Sequence, residues 1–208
     1  TTDHENIIIV CSTIIFPYLR LPNLVTLSFV SKWIYDALNL YYQICTELDL
    51  SDYYGVIGNH SFHKDSFYHS FLPKFSSVQS LSLRYCSHLK AVHLDAILKA
   101  LTSTPSIDLS TALSSSAPLV INENETLAPS QPAAAVHAQT MAEFVPNDRI
   151  TSLDLYFCSR IGSSALFKIR ARLPNLENLN IGRCYTITAN KNVNGFKALE
   201  ALPLRQLT

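Results

Sequence analysis

The stretch ITSLDLYFCSRI, residues 150–161, decides the fold. Ile150, Leu153 and Leu155 set an apolar-x-x-L-x-L spacing, and Cys158 follows three residues later. The x-L-x-L portion reads as a short strand whose alternate side chains face inward. The cysteine just past it has several possible roles: nucleophile, metal ligand, half of a disulfide, or small core residue. The rest of the chain separates them.

The same frame recurs. VQSLSLRYCSHL begins at Val78 and LENLNIGRCYTI at Leu176. Each fits apolar-x-x-L-x-(L/I)-x-x-C-x-x-(L/I), and Cys86, Cys158 and Cys184 hold the same place in it. A weaker copy without a cysteine, LEALPLRQL, reads from Leu199. Ile150 to Leu176 is 26 residues and Leu176 to Leu199 is 23, both inside the range of about 20–29 of leucine-rich repeats. The 72 residues from Val78 to Ile150 hold one such repeat plus an insertion. Helix-like returns follow the first two copies, AVHLDAILKAL and SSALFKIRARL. In the latter, Leu166, Ile169 and Leu173 share a face. No unit buries its face alone, and stacked units share a core. A cysteine at each strand-to-loop bend then forms a buried column, as a small hydrophobe with a weak S–H donor. No histidine lies within three residues of Cys158 or Cys184 to activate a thiolate. The expected role is structural.

Composition narrows the class. The chain has 208 residues, 48% hydrophobic and 15% charged, against a norm of about 25% charged. Much of it must be buried, in its own core or on a partner. The net charge of +0 supplies no global field toward nucleic acids or acidic membranes, so neither is expected as a partner. Five scattered cysteines without a C-x-x-C pair argue against a disulfide framework or a zinc knuckle. They predict a reducing compartment, cytoplasmic or nuclear. No run reaches the roughly 18 apolar residues of a membrane span. The opening TTDHENIIIVCSTIIF has Asp3 and Glu5 ahead of an apolar run broken by Ser12 and Thr13, a poor secretory signal.

Residues 105–147 hold half of the ten prolines and no Lys or Arg, with Ser, Thr and Ala filling the rest. Such a segment buries too little apolar surface to offset its ordering entropy, and a mobile insertion is expected. HSFHKDSFYHS, residues 60–70, carries His60, His63 and His69. H-x-x-H binds a metal only with further ligands. The interleaved Phe62, Phe67, Tyr68 and Phe71 instead predict a packed connection, and no metal or cofactor is expected. The chain has no Gly-rich phosphate loop, no G-x-S-x-G and no metal quartet, and only 5 glycines. It reads as a binding protein, not an enzyme.

The cysteine-bearing copies resemble the cysteine-containing leucine-rich repeats of F-box proteins. The N-terminal IIIVCSTIIFPYLRLPNLVTLSFVSKWIYDAL resembles an F-box. Ile15-Phe16-Pro17-Tyr18-Leu19 matches its I-F-x-Y-L core, Leu24 and Leu27 its next leucines, and Val30-Ser31-Lys32-Trp33 its V-C-(K/R)-x-W end. Ile7-Ile8 replaces the usual Leu-Pro, Asn23 the usual aspartate, and Trp33 comes one residue early. TELDLS, residues 46–51, resembles the family's passage into its first repeat. From the residues themselves, a helix over 7–19 should end or kink at Pro17. Pro22-Asn23 should turn and cap a second helix, and Ser31 should cap a third.

The resemblance implies an α/β chain. A three-helix F-box over 1–44 would precede a small leucine-rich-repeat solenoid over 45–208, with parallel strands, helical returns and the 105–147 insertion. It implies the substrate-recognition subunit of an SCF-type ubiquitin ligase. The F-box would bind a Skp-family adaptor, and through it a cullin, by Ile15, Phe16, Leu19, Leu24, Leu27, Val30 and Trp33. The repeats would hold an unknown protein substrate. Arg84, Tyr85, Asp154, Tyr156, Asn180 and Arg183, read as outward strand positions, are its candidate contacts. The alternative is a repeat scaffold that binds a partner without a ligase.

Overall fold

The computed structural model of the chain describes residues 7–54, 57, 67–102, 146–187 and 195–208. The chain divides into two compact units, Thr1–Thr104 with Val145–Thr208, and Pro105–Phe144. The second, with nearly all of the expected insertion, lies outside the described residues, as do His60, Phe62 and His63.

The first unit is mixed α/β, built on a five-stranded parallel sheet in the order β1-β2-β3-β4-β5. The strands are β1 (Glu47–Asp49), β2 (Ser80–Ser82), β3 (Ser152–Asp154), β4 (Asn178–Asn180) and β5 (Gln206–Leu207). Register places Leu48, Leu81, Leu153, Leu179 and Leu207 in one row. The segments opened by Val78, Ile150 and Leu176 lie side by side, and β2 pairs directly with β3 although 72 residues separate those openings. Leu50, Leu83 and Leu155 form a second, fully buried row, and Cys86, Cys158 and Cys184 a third. Parallel strands need a crossover between them. After β2 and β3 it contains a helix, α3 (Ala91–Thr102) and α4 (Ser164–Arg172), and α5 (Gly195–Leu199) precedes β5. Leu166, Ile169 and Leu173 are all buried on one side of the α4 return. Gly195 starts α5 where a Cβ would sit 2.9 Å from the Ser163 carbonyl oxygen, so the two returns pack closer than any side chain permits.

Two expectations are corrected. The last copy opens at Leu204, not Leu199, because Leu207 is the partner of Leu179. Gly195–Leu199 is helical, so Leu199 and Leu202 are buried closing that return. Pro203 then leads into the strand. The insertion also ends before Asn147. That residue is buried, its side-chain oxygen accepts from the N–H groups of Arg149 (3.0 Å) and Ile150 (3.2 Å), and its own N–H donates to the Arg172 carbonyl (2.7 Å).

Ahead of the sheet lie two short helices, α1 (Leu21–Leu27) and α2 (Lys32–Ile44), preceded by a helical segment from residue 7. That segment loosens into a π-helical turn at Cys11–Ile15 and tightens into a 3-10 turn at Phe16–Tyr18. The Ser12 hydroxyl donates to the carbonyls of Ile8 and Ile9, and the Thr13 hydroxyl to Ile9. Such back-bonding competes with the ladder and bends helices. Pro17, lacking an N–H, ends it. The α1 cap differs from expectation. The helix starts at Leu21 behind Arg20, which makes no side-chain cap, and Pro22 sits in the first turn, where its missing N–H leaves nothing unpaired. Ser31 caps α2 as expected, accepting from the Ile34 N–H at 3.2 Å.

α2 joins this block to the sheet through aromatic rings. Ala37, Leu38 and Tyr42 are buried. Tyr42 packs on Phe75 (4.9 Å between centroids) and Phe71 (5.7 Å), and Phe71 stacks on Phe67 (5.6 Å). Phe67 and Tyr68 are buried, so the described end of the His-rich stretch is a packed connection. His69 is exposed.

Candidate protein-binding surface

Each cysteine-bearing strand ends in the same tight bend. The residue before the cysteine is in the left-handed region at Tyr85 (φ 63), Phe157 (φ 62) and Arg183 (φ 59). Bulky side chains rarely adopt it. The bend turns each cysteine inward. The Cys158 thiol donates to the Leu83 carbonyl and the Cys184 thiol to the Leu155 carbonyl, each at 3.0 Å and each on the preceding strand segment. Burial pushes the Cys86 thiol up to about 12 and raises Cys158 and Cys184 as well. A thiolate is suppressed, so these are packing residues and not nucleophiles. All five cysteines are free thiols.

The same bend throws the flanking side chains outward, where they stack across the units. Tyr85 meets Tyr156 edge-on at 5.7 Å and 87°. Phe157 lies 6.0 Å from Tyr85 and meets Tyr185 edge-on at 6.3 Å. The Arg84 guanidinium sits over the rings of Tyr156 (5.2 Å) and Tyr85 (5.6 Å), and Arg183 over Tyr156 (5.8 Å). These distances lie within the roughly 6 Å of a cation–π contact. The result is a ladder of exposed or half-exposed Tyr, Phe and Arg in which each side chain packs on its neighbours. These residue types dominate binding hot spots, and a pre-ordered patch loses less freedom on binding.

Of the six expected substrate contacts, Arg84, Tyr85, Tyr156 and Arg183 converge in this ladder. They stand on the turns and not on the strands. Asp154 and Asn180 do lie on strands, but their side chains are engaged. Asp154 accepts from the Tyr156 N–H (2.9 Å) and pairs with Arg84 (3.7 Å), and Asn180 accepts from the Gly182 N–H (3.0 Å). Asp49 makes the same bond to Ser51 (2.9 Å). These residues shape the bend that presents the ladder. Phe157 and Tyr185 belong to it and were not expected. Their signal is positional, one residue before and one after the aligned cysteines.

The expected adaptor contacts separate by burial. Phe16 is 4% exposed, edge-on to Tyr41 at 5.9 Å, and Leu24 is 1% exposed. Both belong to this chain's own core, which removes them from any outer surface. Leu19 and Leu27 pack half-buried against that core, and Trp33 is half-buried. Ile15 and Val30 are exposed, at 46% and 65%, together with Ile7, Val10, Ile14 and Phe29.

No group of His, Cys, Asp and Glu among the described residues is arranged to hold a metal ion. No helix among them is long and apolar enough to cross a membrane. The structure is a mixed α/β fold with a parallel sheet, and a row of mutually packed aromatic and arginine side chains stands along the turns that follow its strands. Comparison with known protein families finds no matching family model, and none of the curated proteins is similar to the chain.

Proposed function

We propose that this chain is the substrate-recognition subunit of an SCF-type ubiquitin ligase, with residues 1–44 as a degenerate F-box and residues 45–208 as a leucine-rich-repeat module. What supports the reading is the order of parts. An N-terminal helical block leaves Ile15, Val30 and neighbouring apolar side chains exposed, β1 follows it, and the cysteine-bearing strand-and-return units come after β1. In this reading the exposed apolar residues meet a Skp-family adaptor, and the ladder of Arg84, Tyr85, Tyr156, Phe157, Arg183 and Tyr185 holds the protein substrate. The chain performs no chemistry. It raises the substrate's effective concentration near the ubiquitin-charged enzyme.

The test is co-purification of the full chain with a Skp-family adaptor, wild type against Ile15→Glu and Val30→Glu. Both positions are exposed, so the variants should fold, and adaptor recovery should fall about tenfold or more. A folded wild-type chain that recovers no adaptor favours the second reading, a partner-binding scaffold without a ligase. Burial of Phe16 and Leu24 in the chain's own core is the observation on that side.

A further inference from the structure

The free edge of the sheet borders a groove. Among the described residues, β1 has a partner on one side only, β2. The Thr46 carbonyl accepts from β2, and the Leu50 N–H donates to the Ser82 carbonyl. Parallel ladders alternate, so the N–H and C=O groups of Glu47 and Asp49 turn the other way. Glu47 and Asp49 line a cavity of about 710 Å³, together with Tyr18, Leu19 and Arg20. That volume falls in the range of about 300–1,000 Å³ typical of ligand sites. An exposed strand edge is a ready template for another chain.

Charge selects the occupant. Glu47, Asp49 and Asp52 line the groove, with Arg20 as the one cation among the lining residues. Arg20 is tied to Asp52 at 3.7 Å. Glu47 has no ion-pair partner among the described residues. Glu47 and Asp49 are exposed and two apart, with Leu48 buried between them. They stand at the strand period of two, Glu47 with its carboxylate outside any ion pair and Asp49 with one oxygen accepting from the Ser51 N–H at 2.9 Å.

We propose that this groove docks an extended, basic segment of a partner protein, which adds a sixth strand at the free edge of β1. Main-chain bonds to the Glu47 N–H and to the N–H and C=O of Asp49 supply affinity, the Glu47 carbonyl already accepting from the Cys45 thiol at 3.0 Å, and Lys or Arg at alternate positions supply selectivity. The site stands apart from the aromatic ladder and does not depend on the ligase reading.

A labelled heptapeptide of sequence Thr-Lys-Val-Lys-Thr-Lys-Val tests it by fluorescence anisotropy on the full chain. Saturable binding is expected. It should weaken roughly tenfold when the lysines become glutamates, and again when alternate backbone amides are N-methylated. Glu47→Gln should weaken the lysine peptide without changing the melting temperature. Glu47→Pro removes the outward N–H together with the carboxylate, which an edge strand tolerates, and should weaken the lysine peptide more than Glu47→Gln does. Absence of binding, equal binding of the acidic peptide, or indifference to N-methylation overturns the proposal. So does a dimer that sediments together and that the peptide fails to dissociate, because a second copy would then be the occupant.

Discussion

The Cys158 thiol donates to the Leu83 carbonyl at 3.0 Å, joining residues 75 positions apart in the chain. Cys158 is fully buried, as is Leu83. Replacement by serine keeps a donor but shortens the reach and places a more polar group in an apolar column. Cys158→Ser should lower unfolding free energy by about 1–2 kcal/mol, read from the midpoint of urea denaturation. In the native state, a thiol reagent should reach Cys11 well before the other four cysteines, which are buried. Fast labelling of Cys158 in the folded chain would refute its structural role.

The same column makes the fold alkali-sensitive. Burial raises the thiols of Cys86, Cys158 and Cys184, Cys86 to about 12 from an ordinary value of 9.0. Below the ordinary value, folded and unfolded chains both keep these protons, and pH has no effect through them. Above it, the unfolded chain releases protons that the folded chain retains, so stability falls as pH rises through the window from about 9 to about 12. Each buried thiol adds at most about 1.4 kcal/mol per pH unit to that slope. Cys158→Ala should make the alkaline decline of the urea midpoint shallower than in the wild type.

The left-handed bend at Phe157 can be isolated by comparing two truncations. Phe157→Ala and Phe157→Gly both remove the ring that meets Tyr85 and Tyr185. Only glycine relieves the positive φ of 62, worth about 1–2 kcal/mol for a residue with a Cβ. The glycine variant should therefore be the more stable of the two, reversing the usual order at a strand end. Equal stabilities would mean the bend stores no strain.

What the sequence exposes follows from how many constraints each position carries. The sheet was legible because three copies align a strand alternation with a cysteine and helix-like returns follow two of them, and burial enforces these features together. The last copy slipped because Leu199-x-x-Leu202 satisfies the motif as a helix ending, and only the pairing of Leu207 with Leu179 separates the two. At the N-terminus, apolar identity does not encode direction. Phe16 and Ile15 are adjacent and alike in hydrophobicity, yet one enters the core and the other faces out. The π-helical turn at Cys11–Ile15 shifts the helical phase there, so a regular 3.6-residue period misplaces the buried face. Asp154 and Asn180 looked like surface polar residues because their partners are backbone N–H groups two positions on, which composition does not reveal.

Asn147 is the anchor on the far side of residues 103–145. Its side-chain oxygen takes two N–H groups just ahead of β3, Arg149 and Ile150, and its own N–H closes the Arg172 carbonyl at the end of α4. Arg149 in turn donates to the Leu101 carbonyl near the end of α3 at 3.0 Å. Asn147 thus fixes where the chain re-enters the sheet so that β3 meets β2 in register. In Asn147→Ala the Ile150 N–H, in a fully buried residue, loses its acceptor. An orphaned buried donor costs about 1–3 kcal/mol, and the urea midpoint should fall accordingly. Amide hydrogen exchange should localise the loss, with protection falling first at Arg149, Ile150 and the β3 amides and last in α2. A variant that exchanged uniformly, or lost less than about 0.5 kcal/mol, would show that the re-entry is held by packing of Ile150 alone.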